Sequence, residues 1–406
     1  MIHWSRALID AADASQRIAV HRKAATAKPT QIASPWRIAV TDELADFVDF
    51  WPRTDRARDA RYHVFQCADI LEVWLQTIGR ARGVRPCFVG VFGADGQPQM
   101  LLPLGIYTKN GVRILTFLDG TVSDYNSPVL FPCDREWTTG VVAKLWRDIV
   151  AALPAFDVVT LKKMPARVQD VTNPLILLHT VPHAEAGHRI RLSGSWHDFE
   201  TQRLPRRKGG RRKLRKLSAF GPVSFEVAET AEQAITFLNA MVDNKRRQFV
   251  STCVPGFELP GKLDYFVEIT RRCGWSGPVH LSALKVGESI VASHWGLVAG
   301  GRFYHMMSSH AGGQWEPCSP GRLLNDFLIC KSFELGMETF DFGVGDESYK
   351  HEYCDEIVPL HDLAEAVSVR GRLYLQIQAG LERLRKTSWW RALRPYKWIL
   401  LRALRR

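Results

Sequence analysis

The sequence of 406 residues lacks the features that mark several common protein classes. It contains no Cys-x-x-Cys pair, so neither a zinc ribbon nor a thiol–disulfide redox motif is indicated. No apolar run approaches the ~18 residues that a membrane-spanning helix needs, and the first residues contain no uninterrupted apolar core of secretory length. No Gly-x-Ser-x-Gly motif occurs, so covalent catalysis of that type is not indicated. A soluble or peripheral protein is expected.

The composition is that of a folded, basic, intracellular protein. A hydrophobic content of 46% and thirteen tryptophans exclude a disordered chain, and the length allows two or three domains. The eight cysteines are scattered, and several, such as Cys87 and Cys330, lie in apolar patterns, which suits buried free thiols in a reducing cytoplasm. A formal charge of +12 favours anionic partners, namely CoA, membrane lipid, acidic glycan or RNA.

The pattern divides the chain into four parts: a mobile leader over 1–35, a first half over 36–185, a second half over 186–370 and a tail over 371–406. The first half reads as strand, helices, three antiparallel strands, helix and strand, with turn signals at Asp95-Gly96 and Asn110-Gly111. The second half repeats this order as β-α-α-β-β-β-α-β, and a final amphipathic helix is predicted over 372–384.

The stretch that organises the second half runs from Arg302 to Lys350. A predicted strand is followed by a loop that ends in Ser319-Pro320-Gly321, and a helix begins there. Serine can cap a helix start and proline is favoured at its first position. The free N–H groups and the dipole at such an opening favour an anion, above all phosphate. An ordinary capped helix is the alternative interpretation.

These residues also carry a resemblance. Ser319-Pro320-Gly321-Arg322-Leu323-Leu324, followed by Phe340-Asp341-Phe342-Gly343, Gly345, Glu347, Tyr349 and Lys350, resembles the acetyltransferase family typified by the CelD protein of cellulose biosynthesis. That family belongs to the GNAT superfamily and is similar to the FemAB peptidyltransferases, which carry two GNAT-like domains in tandem. The resemblance extends over about residues 36–369.

The resemblance implies an α+β fold with mixed sheets and two tandem GNAT-like acyltransferase domains. It implies acetyl-CoA or another acyl-CoA as co-substrate, with the pyrophosphate held by residues that open the predicted helix: Ser319, Pro320, Gly321, Arg322, Leu323 and Leu324. The usual GNAT phosphate motif of a Gln or Arg with spaced glycines is absent. The first half, which has an Asp124-Tyr125 pair after its strand, is expected to be a degenerate copy that shapes the substrate cleft.

Four residues are candidates for the chemistry of acyl transfer. His294 or Asp341 could remove a proton from the acceptor, and Tyr349 with Lys350 could donate to a leaving thiolate or hold an acidic substrate. The alternatives are that His294 is a structural strand histidine, that Asp341 is a hydrogen-bonded scaffold carboxylate, and that Lys350 lies on the surface. The spacing of His294, His305, His310 and Cys318 fits no zinc pattern, so no metal is expected.

Two basic segments remain. Residues 203–216 are either a solvated helix docked by Leu214 and Leu217 or a contact for an anion, and they lack the aromatic residues that stack on bases. Residues 389–406 mix aromatics and arginines around Pro395, which suits either a helix in a membrane interface or a packed terminal helix. A small-molecule or glycan acceptor is the expected partner, with peripheral membrane contact through the tail and no nucleic acid.

Together these features predict a cytoplasmic acyl-CoA-dependent N- or O-acyltransferase. Its acceptor would be an amino sugar or a cell-envelope or exopolysaccharide precursor, and transfer would be direct. Two alternatives stay open: FemAB-like transfer from aminoacyl-tRNA, in which the basic run would contact RNA, and a non-catalytic module of a polysaccharide-synthesis complex.

Overall fold

A computed structural model gives the structure of the protein and describes residues 35–56, 58–204, 207–252, 256–274 and 277–386. The predicted leader up to residue 34, and the predicted interfacial segment over 389–406, lie outside the described residues. The seven cysteines within these ranges are free thiols, of which Cys87 is buried and Cys330 is half-buried.

The described part of the first half builds one large sheet, a small two-stranded sheet and two main helices. Its elements are β1 (Arg37–Thr41), α1 (Ala68–Trp74), β2 (Arg85–Phe92), β3 (Pro98–Lys109), β4 (Val112–Phe117), β5 (Val129–Leu130), α2 (Thr139–Ala152), β6 (Val158–Pro165), β7 (Arg167–Val168), β8 (Val171–Thr172) and β9 (Val181–Pro182).

The second half repeats the arrangement with longer helices. Its elements are β10 (Gly187–Arg191), α3 (Arg207–Ser218), β11 (Val223–Val227), α4 (Ala231–Thr252), α5 (Lys262–Cys273), β12 (Val279–Val286), β13 (Ser289–Ala299), β14 (Arg302–His310), α6 (Pro320–Glu334), β15 (Thr339–Val344), α7 (Ser348–Tyr353), β16 (Glu356–Val358), β17 (Leu360–Ala366) and α8 (Val369–Lys386).

One strand crosses between the two sheets. The first sheet has the order β1-β2-β3-β4-β6-β17-β9, with β5 paired to β3, and the second has the order β11-β12-β13-β14-β15-β10-β16. In each sheet the parallel pair that flanks the helix, β4–β6 or β14–β15, is followed by an antiparallel strand, β17 or β10. Of these two strands, β17 belongs to the second half of the chain but lies in the first sheet. The domain boundaries predicted at residues 185 and 370 stay predictions.

The predicted α+β architecture with mixed sheets is confirmed, and the local differences have physical causes. The sequence pattern predicts a helix over 63–78, and the structure has a one-turn helix at Val64–Gln66, then α1, then a π-helical turn at Leu75–Gly79. The pattern predicts a short helix over 43–51, and the structure has a single turn at Leu44–Phe47. The pattern treats 171–192 as a connection between the halves, and the structure places β8, β9 and β10 there. The partners of β10 are distant in sequence.

One hydrophobic core runs through both halves. It contains Phe65 of the first half and Tyr304 of β14, whose ring centroids lie 5.4 Å apart with the rings at 74°. Edge-on aromatic pairs of this kind add about 1 kcal/mol beyond the area that they bury. Because the core crosses between the sheets, the residues at the end of β15 are held against the first half.

Four buried histidines, His63, His280, His294 and His305, give the first prediction. Burial lowers the pKa of all four, to about 4 for His280 and about 3 for His305, because a charged imidazole would lose its hydration. The unfolded chain binds these protons below about pH 6.5, whereas the folded chain does not. We therefore expect the free energy of unfolding to fall as the pH drops below 6.5, by about 1.4 kcal/mol per pH unit for each histidine.

Burial raises the carboxyl pKa of Asp124 to about 7 and of Asp326 to about 6. These two carboxyl groups therefore stabilise the fold as the pH drops, but the four histidines outnumber them. Urea unfolding at pH 7.5, 6.5 and 5.5 measures the slope. His294→Leu removes one titrating group and should flatten it, while His351→Leu, at an exposed position, should not. A stability that stays level between pH 7.5 and 5.5 would contradict the prediction.

Candidate functional site

A cavity of about 450 Å³ lies at the opening of α6. Its walls come from four elements: the end of α4, the end of β14, the first turn of α6 and the segment that leads into α7. The lining residues are Lys245, Gln248, Ser308, His310, Glu316, Ser319, Pro320, Gly321, Arg322, Asn325, Glu347, Tyr349 and Tyr353.

The cavity lies beside a divergence of two parallel strands. β14 and β15 pair only from Arg302 with Thr339 to Tyr304 with Asp341. Beyond that point β14 stays paired with β13 as far as His310, while β15 continues along β10. Backbone groups that face a gap between diverging strands are available to an extended ligand.

The opening of α6 differs from a capped helix start. Ser319 has φ 49° and ψ 58°, in the left-handed region, and its side chain caps no helix amide, contrary to the prediction. Its backbone carbonyl accepts instead from Arg322 and Leu323, at 3.0 and 3.2 Å. The Ser319 hydroxyl accepts a 2.5 Å hydrogen bond from Lys213 of α3. The residues that open the helix, Ser319, Pro320 and Gly321, line the cavity.

The charges around the opening are mixed, with cations placed deepest. Lys245 donates to the Ser308 carbonyl at 3.1 Å, and burial lowers the pKa of its amine. Arg322 is ion-paired with Glu352 at 3.0 Å and lies over the Tyr353 ring at 5.2 Å. These contacts hold two cations at the cavity wall in fixed orientations.

The structure places the predicted cofactor residues in two groups. Ser319, Pro320, Gly321 and Arg322 line the cavity. Leu323 and Leu324 do not, because their side chains are buried in the core between α6 and the second sheet. Any contact of these two leucines with a ligand would have to be through their backbone.

Of the four predicted catalytic residues, only Tyr349 lines the cavity. His294 is fully buried against the Phe303 and His305 rings, at centroid distances of 5.4 and 4.8 Å. Lys350, expected either near the cleft mouth or on the surface, is only 3% exposed. Its amine donates to the Val344 carbonyl at 3.1 Å and pairs with Glu347 at 2.9 Å, so it fastens α7 to the end of β15.

Asp341 is a fully buried carboxylate that accepts hydrogen bonds from three residues. Its Oδ1 accepts from the Tyr125 hydroxyl and from the Gly343 amide, both at 2.8 Å, and Arg302 donates to Oδ2 at 3.4 Å. The Tyr125 bond joins the two halves. Beside it, the half-buried Asp124 lies against Gly343, but neither carboxyl lines the cavity. This geometry fits the scaffold interpretation of Asp341.

Eight of the cavity residues were not predicted as site residues, among them His310, Asn325 and Lys245. His310 lies at the end of β14, where its Cδ2 is 3.0 Å from the position that a Cβ on Gly321 would occupy, and its Nδ1 is 3.3 Å from the Ala311 carbonyl. Asn325 is buried on α6, and its Oδ1 has no hydrogen-bond partner in the described part of the chain. Lys245 lies towards the end of the helix α4, and nothing in the local sequence indicates that it lines a cavity.

One group of side chains outside the cavity could hold a metal. Ligand atoms of His188, Asp346 and His351 lie within 4.8 Å of one another, and His188 Nε2 is 2.9 Å from Asp346 Oδ1. Only His188 is buried, and none of the three belongs to the set considered from the sequence. The expectation that the protein needs no metal therefore stays a prediction.

Comparison with known proteins decides the type of domain. Residues 205–351 match the sequence model of the acetyltransferase (GNAT) domain family. This part of the chain is similar to a GNAT acetyltransferase domain. The match contains α6, its opening and every residue that lines the cavity except Tyr353. No curated protein sequence matches the chain.

Solved structures agree in fold. FemX is similar at a TM-score of 0.51 and 12% identity, over 74% of this chain and 92% of that chain. A conserved protein of unknown function from Bacteroides thetaiotaomicron VPI-5482 is similar at a TM-score of 0.52 and 12% identity, over 80% and 99%. A tandem GNAT protein from the clavulanic acid biosynthesis pathway matches at a TM-score of 0.42 and 11% identity, over 82% and 99%. The match to the GNAT domain model supports an acyltransferase, and FemX and the Bacteroides protein show the fold that the chain shares.

The first GNAT-like unit has a different helix opening. Thr138 caps α2 in the usual way, since its hydroxyl accepts from the Val141 amide at 3.4 Å. The α2 opening is therefore capped by a side chain, whereas at the α6 opening the backbone carbonyl of Ser319 accepts from the first amides of the helix. Within the described residues, no helix is both long and apolar enough to cross a membrane.

Proposed function

We propose that the protein is an acyl-CoA-dependent N- or O-acyltransferase, with acetyl-CoA as the donor, that acts by direct transfer on an amino sugar or a cell-envelope or exopolysaccharide precursor. The observation that carries this proposal is the uncapped opening of α6 inside the cavity. A helix opening attracts phosphate through its dipole. The Ser319 carbonyl takes the Arg322 and Leu323 amides, but Arg322, Lys245 and Lys213 add positive charge around the opening.

The rest of the cavity suits the arm that joins the pyrophosphate of CoA to the thioester. That arm carries amide groups, which need donors and acceptors when they leave water. The gap between β14 and β15 offers backbone groups, and the buried Asn325 Oδ1 offers an acceptor without a protein partner. An orphaned buried acceptor costs about 1–3 kcal/mol, and a ligand N–H would remove this cost.

His310 is the residue that we assign to deprotonation of the acceptor. If its Nδ1–H donates to the Ala311 carbonyl, Nε2 keeps a lone pair that can accept the proton of the attacking amine or hydroxyl. The acceptor then attacks the thioester carbon, and the C–S bond breaks to release the thiolate. Burial raises the pKa of Tyr349, so its hydroxyl stays protonated at neutral pH and can donate to that thiolate.

The prediction that follows concerns His310→Gln. It should lower kcat by about 10²–10⁴-fold, the usual contribution of general base catalysis, and leave the affinity for acetyl-CoA within about threefold. Release of free thiol under saturating acetyl-CoA and acceptor measures kcat. The matched control is Glu347→Gln, whose carboxylate is engaged by Lys350 and which should retain activity within about tenfold. Unchanged kcat in His310→Gln would remove this assignment.

Isothermal titration with acetyl-CoA tests the donor directly. A folded wild-type protein should bind it with one site per chain, and desulfo or dephospho analogues should show which part of the ligand carries the affinity. A folded sample that shows no binding heat at two temperatures would remove the cofactor proposal.

A second candidate, aminoacyl transfer from charged tRNA to a cell-wall precursor, has one observation in its favour. The basic helix α3 docks through Leu217 and leaves Arg211, Arg212 and Lys216 exposed, while Lys213 reaches the α6 opening. Substituting Arg211, Arg212 and Lys213 by Ala should release co-purifying tRNA under this candidate. Under the acyl-CoA proposal the wild type carries no tRNA and the same variant only weakens acetyl-CoA binding.

A further inference from the structure

The helix α8 has a packed face and an unusual exposed face. On the packed face, Gly371 sits so close to the first sheet that a Cβ would lie 1.9 Å from the Asp157 carbonyl oxygen. Tyr374 and Leu375 pack beside it against the buried residues of β4 and β6. This contact fixes how α8 is oriented on the body of the protein.

A second face of α8 presents large apolar side chains to solvent. Val369, Leu373, Ile377 and Leu381 are 81%, 57%, 51% and 37% exposed. At about 100° per residue they form a stripe over about 120° of the helix surface, next to the packed face. A continuous row of this kind marks a binding surface more often than a chance exposure.

The charge around this stripe identifies what it contacts. Arg370, Arg372 and Arg383 are exposed on the same helix, and Glu382 is the only acid between residues 369 and 386. The sequence that follows, residues 387–406, contains six Lys or Arg, no Asp or Glu, and three tryptophans. Two copies of this helix would bring like charges together, whereas an anionic lipid surface would attract both the arginines and the apolar stripe.

We propose that α8 lies in the surface of an anionic membrane, with its exposed apolar stripe inserted between the lipids and its arginines at the headgroups. The protein would then meet its acceptor at the membrane surface. This inference does not depend on the acyl-CoA cavity, since α8 packs on the first sheet and contributes no cavity residue.

Co-sedimentation of the full chain with lipid vesicles tests the proposal. The wild type should sediment with vesicles of equal phosphatidylglycerol and phosphatidylcholine, and at least about tenfold less with phosphatidylcholine alone. Leu373→Ser with Ile377→Ser should reduce binding to the anionic vesicles about tenfold or more. The matched control, Ala379→Ser, changes an exposed position about 80° away from the nearest stripe residue and should bind as the wild type does.

Melting temperatures and acetyl-CoA titrations should agree across all of these variants, because the positions are exposed. Ile377→Ser alone is the milder variant if the double change lowers the melting temperature. The proposal would be overturned by a wild type that does not sediment with anionic vesicles, or by a stripe variant that binds them as the wild type does. So would a wild-type dimer that the stripe substitutions disperse, because the stripe would then be covered by a second copy.

Discussion

Gly321→Glu is expected to abolish acetyl-CoA binding, raising Kd at least about 100-fold, while the protein stays folded. Gly321 lies in the first turn of α6, where an acidic side chain is favourable for the helix because it complements the dipole. The same carboxylate would lie in the cavity, where its negative charge would repel the pyrophosphate. Its Cβ would lie 3.0 Å from His310 Cδ2, a contact that a small movement of a flexible ring can relieve.

Gly321→Gln is the matched control, because it has nearly the same shape without the charge. It should weaken binding through bulk alone, by clearly less than the glutamate does. Isothermal titration gives both affinities, and thermal melting shows whether the fold is intact. Wild-type affinity in a folded Gly321→Glu would mean that the ligand does not bind at this helix opening.

The position of the helix opening could be predicted from local sequence. Ser319-Pro320-Gly321 stands between two strand patterns, and proline fixes the first helical φ, so the start of α6 was correct to the residue. The cap could not be predicted in the same way. Whether a serine side chain turns back to its helix depends on its own backbone angles, and here Lys213, 106 residues away, takes the hydroxyl.

The crossing of β17 into the first sheet had no local signal. β17 carries a strand pattern and belongs to the second half of the sequence, yet it lies in the first sheet. Hydrophobic alternation indicates that a segment is a strand and which of its faces is buried, but not its neighbour. The partner is chosen by where the preceding connection can reach, which periodicity does not report.

The chemistry of single residues was the hardest to predict. His294 and His310 are both strand histidines, and the sequence analysis offered only the first as a candidate base. Their difference is depth: His294 lies inside the second half, whereas His310 is at the strand end, where β14 has separated from β15. Tyr349 lines the cavity, and its catalytic role stays a prediction.

The second large effect concerns Asp341, because Asp341→Ala should lower the free energy of unfolding by about 3–5 kcal/mol. The substitution would leave the nearly buried Arg302 without its carboxylate, and removing one partner of a buried ion pair costs about this much. It would also orphan the Tyr125 hydroxyl and the Gly343 amide. Urea unfolding of the purified variant at pH 7.5 measures the loss.

Two further variants separate a structural role of Asp341 from a catalytic one. Tyr125→Phe removes one hydrogen bond between the halves and should cost about 1 kcal/mol with little change in activity. Asp341→Asn keeps an acceptor oxygen but no charge, so its stability should fall between those of the alanine variant and the wild type. If Asp341 only holds the halves together, kcat of folded Asp341→Asn stays within about tenfold of the wild type. A wild-type stability with kcat lowered a thousandfold would instead make Asp341 the base, and the cavity beside His310 would no longer be where the proton is taken.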